Sequence, residues 1–338
     1  MGLRFLCAAL LATAAWGQSV TVRIVDHALM PAQVDSNSPA FWRDGQFHLL
    51  NSTGLGPVLS AGPDQFQLSW WARPDLGRQV NPTWIEAVWQ DADGALFAWY
   101  HQERERVCGN VQRPAMPQIG AAVSYDGGLS FFDLGLILTS GDPLDCSSKN
   151  GYFAGGHGDF SVRLDRAQQY FYFVFTNYGG DVASQGVVVA RMSFEDRFQP
   201  AGAVRKYYRG SWTEPGLSGR VTPVFRANVS WQEEATDSFW GASVHWNTHI
   251  EQYVMLLNRS CCEPGFPQEG IYISFNADIG DPGGWSTPLR IVENTGWYPQ
   301  VLGLGYGETD SEAGERARLY IYGESWWELE FSREPRPE

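Results

Sequence analysis

Two acidic residues, Glu86 and Asp159, begin strongly apolar segments of this chain. Glu86 opens "EAVWQDADGALFAWY" and Asp159 opens "DFSVRLDRAQQYFYFVF". Two carboxyl groups at one site can divide acid and base chemistry, because one stays protonated to donate a proton while the other stays ionised to attack or to activate water. The apolar neighbours Trp84 and Trp89 would raise the pKa of Glu86 and favour the acid role. Asp159 follows a glycine-rich turn and is predicted to be the base or nucleophile.

Strands must position these acids, because the chain has almost no helical periodicity. Runs rich in Val, Ile, Phe, Tyr and Trp are bounded by Gly, Asp, Asn and Pro, as in "QYFYFVFTNY" and "GIYISFN". A short apolar stretch, a turn and a strong strand recur at five positions, which are Ser38, Glu86, Asp159, Gly241 and Tyr298. Repeats of this kind predict an all-β chain that folds as a five-bladed β-propeller, with residues 18–338 in a single domain.

The two ends of the predicted propeller are expected to meet in one blade. The N-terminal run "SVTVRIV" and the C-terminal run "SWWELEFS" are both spare strands, and pairing them would close the ring and remove its open edges. The innermost strand of each blade lines the central channel, and its first residue faces one mouth of that channel. The five aligned positions should therefore converge there, with Glu86 and Asp159 among them.

The blade openings resemble those of a known superfamily. "SPAFWRDGQFHLL", which begins at Ser38, and the segments at Glu86 and Asp159 are similar to the Asp-Pro-Ser-Val motif, Asp-Gly turn and Tyr-rich strand of five-bladed propeller glycoside hydrolases, the arabinanase, levansucrase and invertase type that includes family 43. This resemblance implies three acids from the first three blades: a base or nucleophile, a pKa modulator and a general acid. Ser38 stands in place of the first acid, and Asp35, three residues earlier, is the candidate to replace it.

The resemblance implies a secreted glycoside hydrolase that acts on plant or microbial oligosaccharides and polysaccharides. Ser38 at the first acid position favours a non-catalytic glycan-binding propeller as the alternative, and a protein-interaction propeller is the third interpretation. Aromatic and histidine side chains near the strand starts are expected to bind the sugar, since flat rings stack on its apolar face. These residues are Trp42, Trp84, His101, His157, His245, Trp246, Trp297 and Tyr298.

One further motif is predicted to be structural. "SYDGGLSFFDLG" places Ser124, Asp126, Gly128, Ser130 and Phe131 in the form of an Asp-box, a turn motif seen in sialidases and other propellers. Asp126 is expected to accept hydrogen bonds from the backbone N–H groups that follow it.

Composition restricts the partners of this 338-residue chain. Its 24 Lys and Arg residues against 38 Asp and Glu residues give a formal charge of −14. A chain this acidic lacks the basic surface that would bind nucleic acid or an anionic membrane. A carbohydrate is the expected partner, and the protein is expected to be a monomer. The sequence predicts no metal site and no cofactor, although a cation such as calcium in the central channel is left open.

The N-terminus predicts export, and the cysteines fit an oxidising compartment. Residues 1–17 combine Arg4, an apolar run and a cleavage site of small residues, which is typical of a cleaved signal peptide and of a secreted or periplasmic protein. Four cysteines follow and allow three disulfide connectivities. Cys108 with Cys146 and Cys261 with Cys262 is the favoured pairing. A zinc site would compete for these cysteines, but the sequence has no C-x2-C spacing.

Overall fold

The computed structural model describes residues 16–77, 82–293 and 296–335. Within them the chain is almost entirely β-structure, with short 3-10 helices at Val182–Ser184, Phe194–Phe198 and Pro282–Gly284. The strands form five sheets that are arranged as the blades of a propeller. This arrangement confirms the predicted fold class.

The first strand, β1 (Trp16–Leu29), belongs to the last blade, and the first two blades follow it as simple antiparallel meanders. Blade 1 contains β2 (Ala40–Arg43), β3 (Gln46–Thr53), β4 (Gly56–Gly62) and β5 (Trp70–Ala72). Blade 2 contains β6 (Thr83–Gln90), β7 (Leu96–Arg104), β8 (Met116–Ser124) and β9 (Phe132–Leu138).

Blades 3 and 4 carry additional strands. Blade 3 contains β10 (His157–Leu164), β11 (Tyr170–Asn177), β12 (Gly186–Ser193), β13 (Arg205–Tyr208) and β14 (Ser211–Pro215), and β15 (Phe225–Arg226) pairs with β12. Blade 4 contains β16 (Ser238–Asn247), β17 (Gln252–Ser260), β18 (Gln268–Asn276) and β19 (Leu289–Glu293).

Blade 5 is built from both ends of the described chain. It contains β20 (Pro299–Gly303), β22 (Arg316–Ile321) and β23 (Glu324–Pro335), while the short β21 (Glu312–Ala313) pairs in parallel with β16 of blade 4. β1 pairs with β23 in antiparallel register, with Val20 opposite Phe331. The predicted closure of the ring by the terminal strands is therefore confirmed.

The core lies between neighbouring blades, which explains why the central strands are apolar on both faces. Along β11, Phe171, Phe173 and Phe175 pack toward blade 2, whereas Tyr172 and Val174 pack toward blade 4. Successive side chains of a strand point to opposite faces, so a strand between two blades must be apolar at every position.

Innermost strands share an irregularity near the mouth of the channel. The register of β6 shifts at Glu86, that of β10 shifts at Asp159, and that of β16 shifts at Gly241. Asp159 and Gly241 have positive φ angles of 44° and 60°. A bulge bends its strand and redirects a side chain. The bulges thus help to turn the aligned positions of blades 2 to 4 toward one mouth.

Two other sequence predictions are confirmed by the contacts. Disulfides join Cys108 to Cys146 and Cys261 to Cys262, which is the favoured pairing. In the Asp-box, Asp126 Oδ1 accepts from the backbone N–H groups of Leu129 at 3.0 Å and Ser130 at 2.9 Å, as a structural turn requires.

The predicted signal peptide lies almost wholly outside the described residues, since only Trp16 and Gly17 of it belong to β1. Among the residues that the structure describes, no helix is long and apolar enough to cross a bilayer.

Candidate active site

A pocket opens at the mouth where β6, β10 and β16 begin. Its polar lining consists of Asp35, His101, Glu103, Arg113 and Asp159. Aromatic side chains form the rest of the wall, and these are Trp84, Tyr152, Phe153, Tyr178, Trp240, Phe266, Trp297 and Tyr298. A concave site with apolar walls and a few convergent polar groups is the usual form of a small-molecule binding site.

Asp159 is a deeply buried acid of this pocket, with 3% of its surface exposed. The Tyr178 hydroxyl donates a hydrogen bond to Asp159 Oδ2. Burial raises the pKa of Asp159 to about 7, because removing a carboxylate from water disfavours its charged form. Asp159 can therefore hold a proton near neutral pH while it faces the pocket.

Glu86 lies beside Asp159 but does not line the pocket. Its Oε1 is 2.9 Å from His101 Nδ1, and its Oε2 accepts a hydrogen bond of 2.8 Å from the backbone N–H of Phe160. Burial raises the pKa of Glu86 to about 8. His101, rather than Glu86, faces the pocket, and within the described residues its Nε2 has no hydrogen-bond partner. Glu86 is therefore placed to orient the His101 ring and to raise the pKa of Asp159 through its charge.

Asp35 lines the pocket, and Ser38 does not. Ser38 is fully buried, where its backbone N–H donates to Gln300 Oε1 at 2.6 Å and its hydroxyl accepts from Asn51 at 3.1 Å. Asp35 is only partly buried, and burial raises its pKa above the usual value. The segment before blade 1 therefore supplies an acid to the pocket three residues earlier than the aligned position.

Glu103 and Arg113 were not identified from the sequence. Glu103 forms an ion pair of 2.8 Å with Arg113, and burial raises the pKa of Glu103. A signal for Glu103 was present, because it follows His101 by two residues on β7 and side chains two apart share a strand face. Arg113 lies on a loop, where no periodicity indicates direction.

Most of the aromatic wall comes from segments between strands. Of the predicted sugar-binding residues, Trp84, His101, Trp297 and Tyr298 line the pocket. The wall residues that sequence analysis did not identify are Tyr152, Phe153, Tyr178, Trp240 and Phe266. Tyr152 and Phe153 lie before β10 and Phe266 lies between β17 and β18, so strand patterning could not place them.

Two histidines predicted to bind sugar do not line this pocket. His157 is buried against Lys206, whose Nζ is 2.9 Å from His157 Nε2. The bulge at Asp159 breaks the alternation, so His157 and Asp159 face different surroundings although they are two residues apart. His245 is fully buried and packs on Phe331 of blade 5 at a ring distance of 5.7 Å.

Two tryptophans predicted to bind sugar also lie away from the pocket. Trp42 donates through Nε1 to the Glu308 carbonyl at 2.8 Å and contacts the Tyr306 ring at 4.9 Å. Trp246 lies six residues beyond Trp240 on β16 and lines a cavity at the opposite end of the channel. A strand advances about 3.3 Å per residue, so Trp246 lies far from the mouth where β16 begins, whereas Trp42 is held away by its contacts with Glu308 and Tyr306.

One trio in the site could hold a cation. Glu86, His101 and Asp159 each offer a ligand atom, and these atoms lie within 4.8 Å of one another. Calcium takes about six to eight oxygen ligands. Two carboxylates and an imidazole suit a transition metal better than calcium.

Comparisons with known proteins bear on the fold. No family model matches the chain, and no curated protein matches its sequence. A thermostable family-43 glycoside hydrolase of known structure superposes with a TM-score of 0.50 and 12% identity, over 90% of this chain and 92% of that one. An exo-β-1,3-galactanase from Clostridium thermocellum superposes with a TM-score of 0.51 and 11% identity, over 89% of this chain and 62% of that one, so this chain spans less than two thirds of the galactanase.

The fold is that of the five-bladed glycoside hydrolase propellers. The resemblance seen in the blade openings is therefore confirmed at the level of the fold. Identities of 11% and 12% mark the chain as divergent, so the function must be argued from its own side chains.

Proposed function

We propose that this protein is a secreted O-glycosidase in which Asp159 is the general acid and Asp35 is the base or nucleophile. The observation that carries the proposal is that both carboxyl groups line one aromatic pocket, with the pKa of Asp159 raised to about 7. Glycoside hydrolysis needs one protonated and one ionised carboxyl group on either side of the scissile bond. The aromatic wall supplies the flat apolar surfaces on which a sugar ring stacks.

Burial separates the two roles. Asp159 is the more buried of the pair, so near pH 7 it keeps the proton that the leaving oxygen needs. Asp35 is more exposed, so burial disfavours its ionised form less than that of Asp159, which suits attack on the anomeric carbon or activation of water. Glu86, predicted from sequence to be the acid, becomes the pKa modulator in this proposal, because it contacts His101 and not the pocket.

Carbohydrate is the proposed ligand, and export is part of the proposal. Two disulfides suit an oxidising compartment such as the periplasm or the exterior of the cell. The alternative, a glycan-binding propeller without activity, was motivated by Ser38. Asp35 in the pocket supports the enzyme over that alternative.

The proposal is tested by hydrolysis of α-1,5-arabinan, β-1,3-galactan and β-1,4-xylan oligosaccharides, with wild type and two variants. Asp159→Asn and Asp35→Asn should each lower kcat about 10²-fold to 10⁴-fold, the range of general acid–base catalysis. Asn tolerates the positive φ of Asp159, so the first variant keeps the backbone.

The matched control is Asp44→Asn, since Asp44 also has a positive φ, of 51°, and its side chain is 90% exposed. The control should keep wild-type kcat. Near-normal turnover in Asp159→Asn or Asp35→Asn would contradict the assignment. Binding of an oligosaccharide by wild type without release of reducing ends would favour the glycan-binding alternative.

A further inference from the structure

The rim of the pocket is asymmetric around the propeller. On one side, aromatic side chains come from blades 3, 4 and 5 and from the segments that precede them. On the other side, a second groove runs along blades 1 and 2. The two sides therefore offer different space to a chain of sugars whose reacting unit lies at Asp35 and Asp159.

On the side of blades 3 to 5, three rings from separate segments contact one another. Tyr152 lies before β10, Phe266 lies between β17 and β18, and Trp297 lies before β20. Ring centroids are 5.4 Å apart for Tyr152 and Phe266, 6.0 Å for Tyr152 and Trp297, and 6.3 Å for Phe266 and Trp297. Rings this close leave no room for a sugar between them, so the pocket ends at this cluster.

On the side of blades 1 and 2, the pocket continues into an open groove. This groove shares Asp35, Trp84 and Arg113 with the pocket. Gly54, Pro82 and Glu105 complete its lining. Gly54 has no side chain and Glu105 is only partly buried, so neither residue fills the groove. The groove offers the hydrogen-bonding groups of Asp35, Glu105 and Arg113 beside the largely buried Trp84, and a sugar has hydroxyls to pair with them.

The charges of the pocket select against an anionic sugar. Asp35, Glu103 and Asp159 all line it. Arg113 is already paired with Glu103 at 2.8 Å. A uronic acid would therefore bring a carboxylate toward three acids with no free cation among the described lining residues.

We infer that the pocket takes one neutral sugar at the end of a chain, and that the next sugar lies in the groove beside Glu105 and Arg113. The inference rests on the proposed function and makes the enzyme exo-acting. The glycosidic C–O bond between the two sugars breaks, water supplies the new hydroxyl of the released monosaccharide, and the leaving sugar takes a proton from Asp159. The proton released by water reaches Asp35 and returns to Asp159 through solvent.

Early products of the same arabinan, galactan and xylan oligosaccharides, with two to six units each, test the inference by anion-exchange chromatography. An exo-acting site releases only a monosaccharide and the oligomer that is one unit shorter. Internal fragments at early times would overturn the end-acting arrangement while the proposed function stands. No cleavage in any of the three series would overturn both.

Variants on the two sides sharpen the test. Glu105→Gln should lower kcat/KM for oligosaccharides about fivefold, the effect of one weakened charged hydrogen bond. The loss should be smaller for the glycosyl fluoride of the released sugar, whose leaving group does not enter the groove. An equal loss on both substrates would contradict the placement of the second sugar.

Phe266→Gly opens the closed side without backbone strain, because Phe266 has a positive φ of 64° that Gly adopts readily. This variant should release some internal fragments from the longer oligosaccharides. An unchanged product pattern would contradict the role of the ring cluster as the end of the pocket.

Discussion

The two mouths of the central channel are lined by similar types of residue, but the charged side chains at the two mouths differ in their electrostatic state. The opposite mouth is the cavity lined by Trp89, Arg163, Arg166, Trp246 and Glu312, among others. It lies at the far ends of the innermost strands whose first residues form the candidate active site. Both mouths combine tryptophans with charged groups, so composition alone does not distinguish them.

Ion pairs occur at both mouths, and the raised pKa values of two acids distinguish the candidate active site. At the opposite mouth, Arg163 forms an ion pair of 2.8 Å with Asp310, and Arg166 lies 3.6 Å from Glu312 and over the Trp246 ring. At the candidate active site, Asp35 and Asp159 face the pocket with raised pKa values. Buried charges that stabilise a fold are satisfied, whereas acids whose pKa values are raised by burial within a cleft are typical of a functional site. We therefore assign chemistry to one mouth only.

The largest expected effect comes from breaking the ion pair between Arg163 and Asp310 near the opposite mouth. Arg163→Met should lower the free energy of unfolding by about 3 to 5 kcal/mol, because it leaves buried Asp310 without its partner. The kcat of the folded variant should stay at the wild-type value. Urea unfolding and single-substrate kinetics measure the two quantities. A loss of kcat in folded Arg163→Met would show that the opposite mouth contributes to catalysis.

Glu86→Gln tests the acid that lies behind the pocket. Gln can keep the contacts with His101 and Phe160, but it removes a carboxyl group that is partly ionised near its pKa of about 8 and whose charge then raises the pKa of Asp159. We expect kcat to fall about 10-fold to 10²-fold, within the lower range of general acid–base effects. The alkaline limb of the pH profile of kcat/KM should move to lower pH. A fall in kcat with an unmoved limb would contradict the role of pKa modulator.

Stability should depend on pH through the same acids. The pKa of Glu86 rises from 4.5 to about 8 and that of Asp159 from 3.8 to about 7. An acid whose pKa is raised in the folded state binds its proton more tightly there than in the unfolded state. Its stabilising contribution is therefore complete below the unfolded pKa and is lost as pH rises through the folded pKa. The free energy of unfolding should therefore decrease between about pH 4 and pH 8.

The double variant Glu86→Gln, Asp159→Asn provides the control for this pH dependence. Its free energy of unfolding should change less over the same interval, since neither replacement titrates. Urea unfolding at each pH unit compares the two proteins. Equal slopes in wild type and double variant would contradict the raised pKa values.

The smallest expected effect is a change in KM when one tryptophan is removed from each mouth in turn. Trp297→Ala should raise KM about tenfold, the size of one lost ring contact of about 1.4 kcal/mol. Trp246→Ala should leave KM within twofold of wild type, because Trp246 lies at the far end of β16. Steady-state kinetics on the preferred oligosaccharide measure both. A similar rise of KM in both variants would remove the distinction between the mouths.

Strand-based features could be predicted from the sequence. The blade number, the closure by β1 and β23 and the convergence of Glu86 with Asp159 follow from repeats that mark the start of each innermost strand. His245 and Trp246 do not line the pocket because they are four and five positions beyond Gly241, which places them well down the strand from the mouth.

Loop-borne features could not be predicted in the same way. Arg113, Tyr152 and Phe266 lie outside regular strands, so neither alternation nor the repeat gives their direction. The bulge at Asp159 could not be foreseen either, and it separates His157 from the acid two residues later. The roles of Asp35 and Glu86 depended on which side chain reaches the pocket, which is a property of the assembled ring of blades.

The central claim is that Asp159 protonates the leaving oxygen, and a leaving-group comparison tests it most directly. Asp159→Asn is assayed on the methyl glycoside and on the 2,4-dinitrophenyl glycoside of the released sugar. Dinitrophenolate leaves without a proton, so the variant should lose about 10²-fold or more on the methyl glycoside and little on the dinitrophenyl glycoside. Asp35→Asn should lose activity on both. An equal loss by Asp159→Asn on the two substrates would contradict the account.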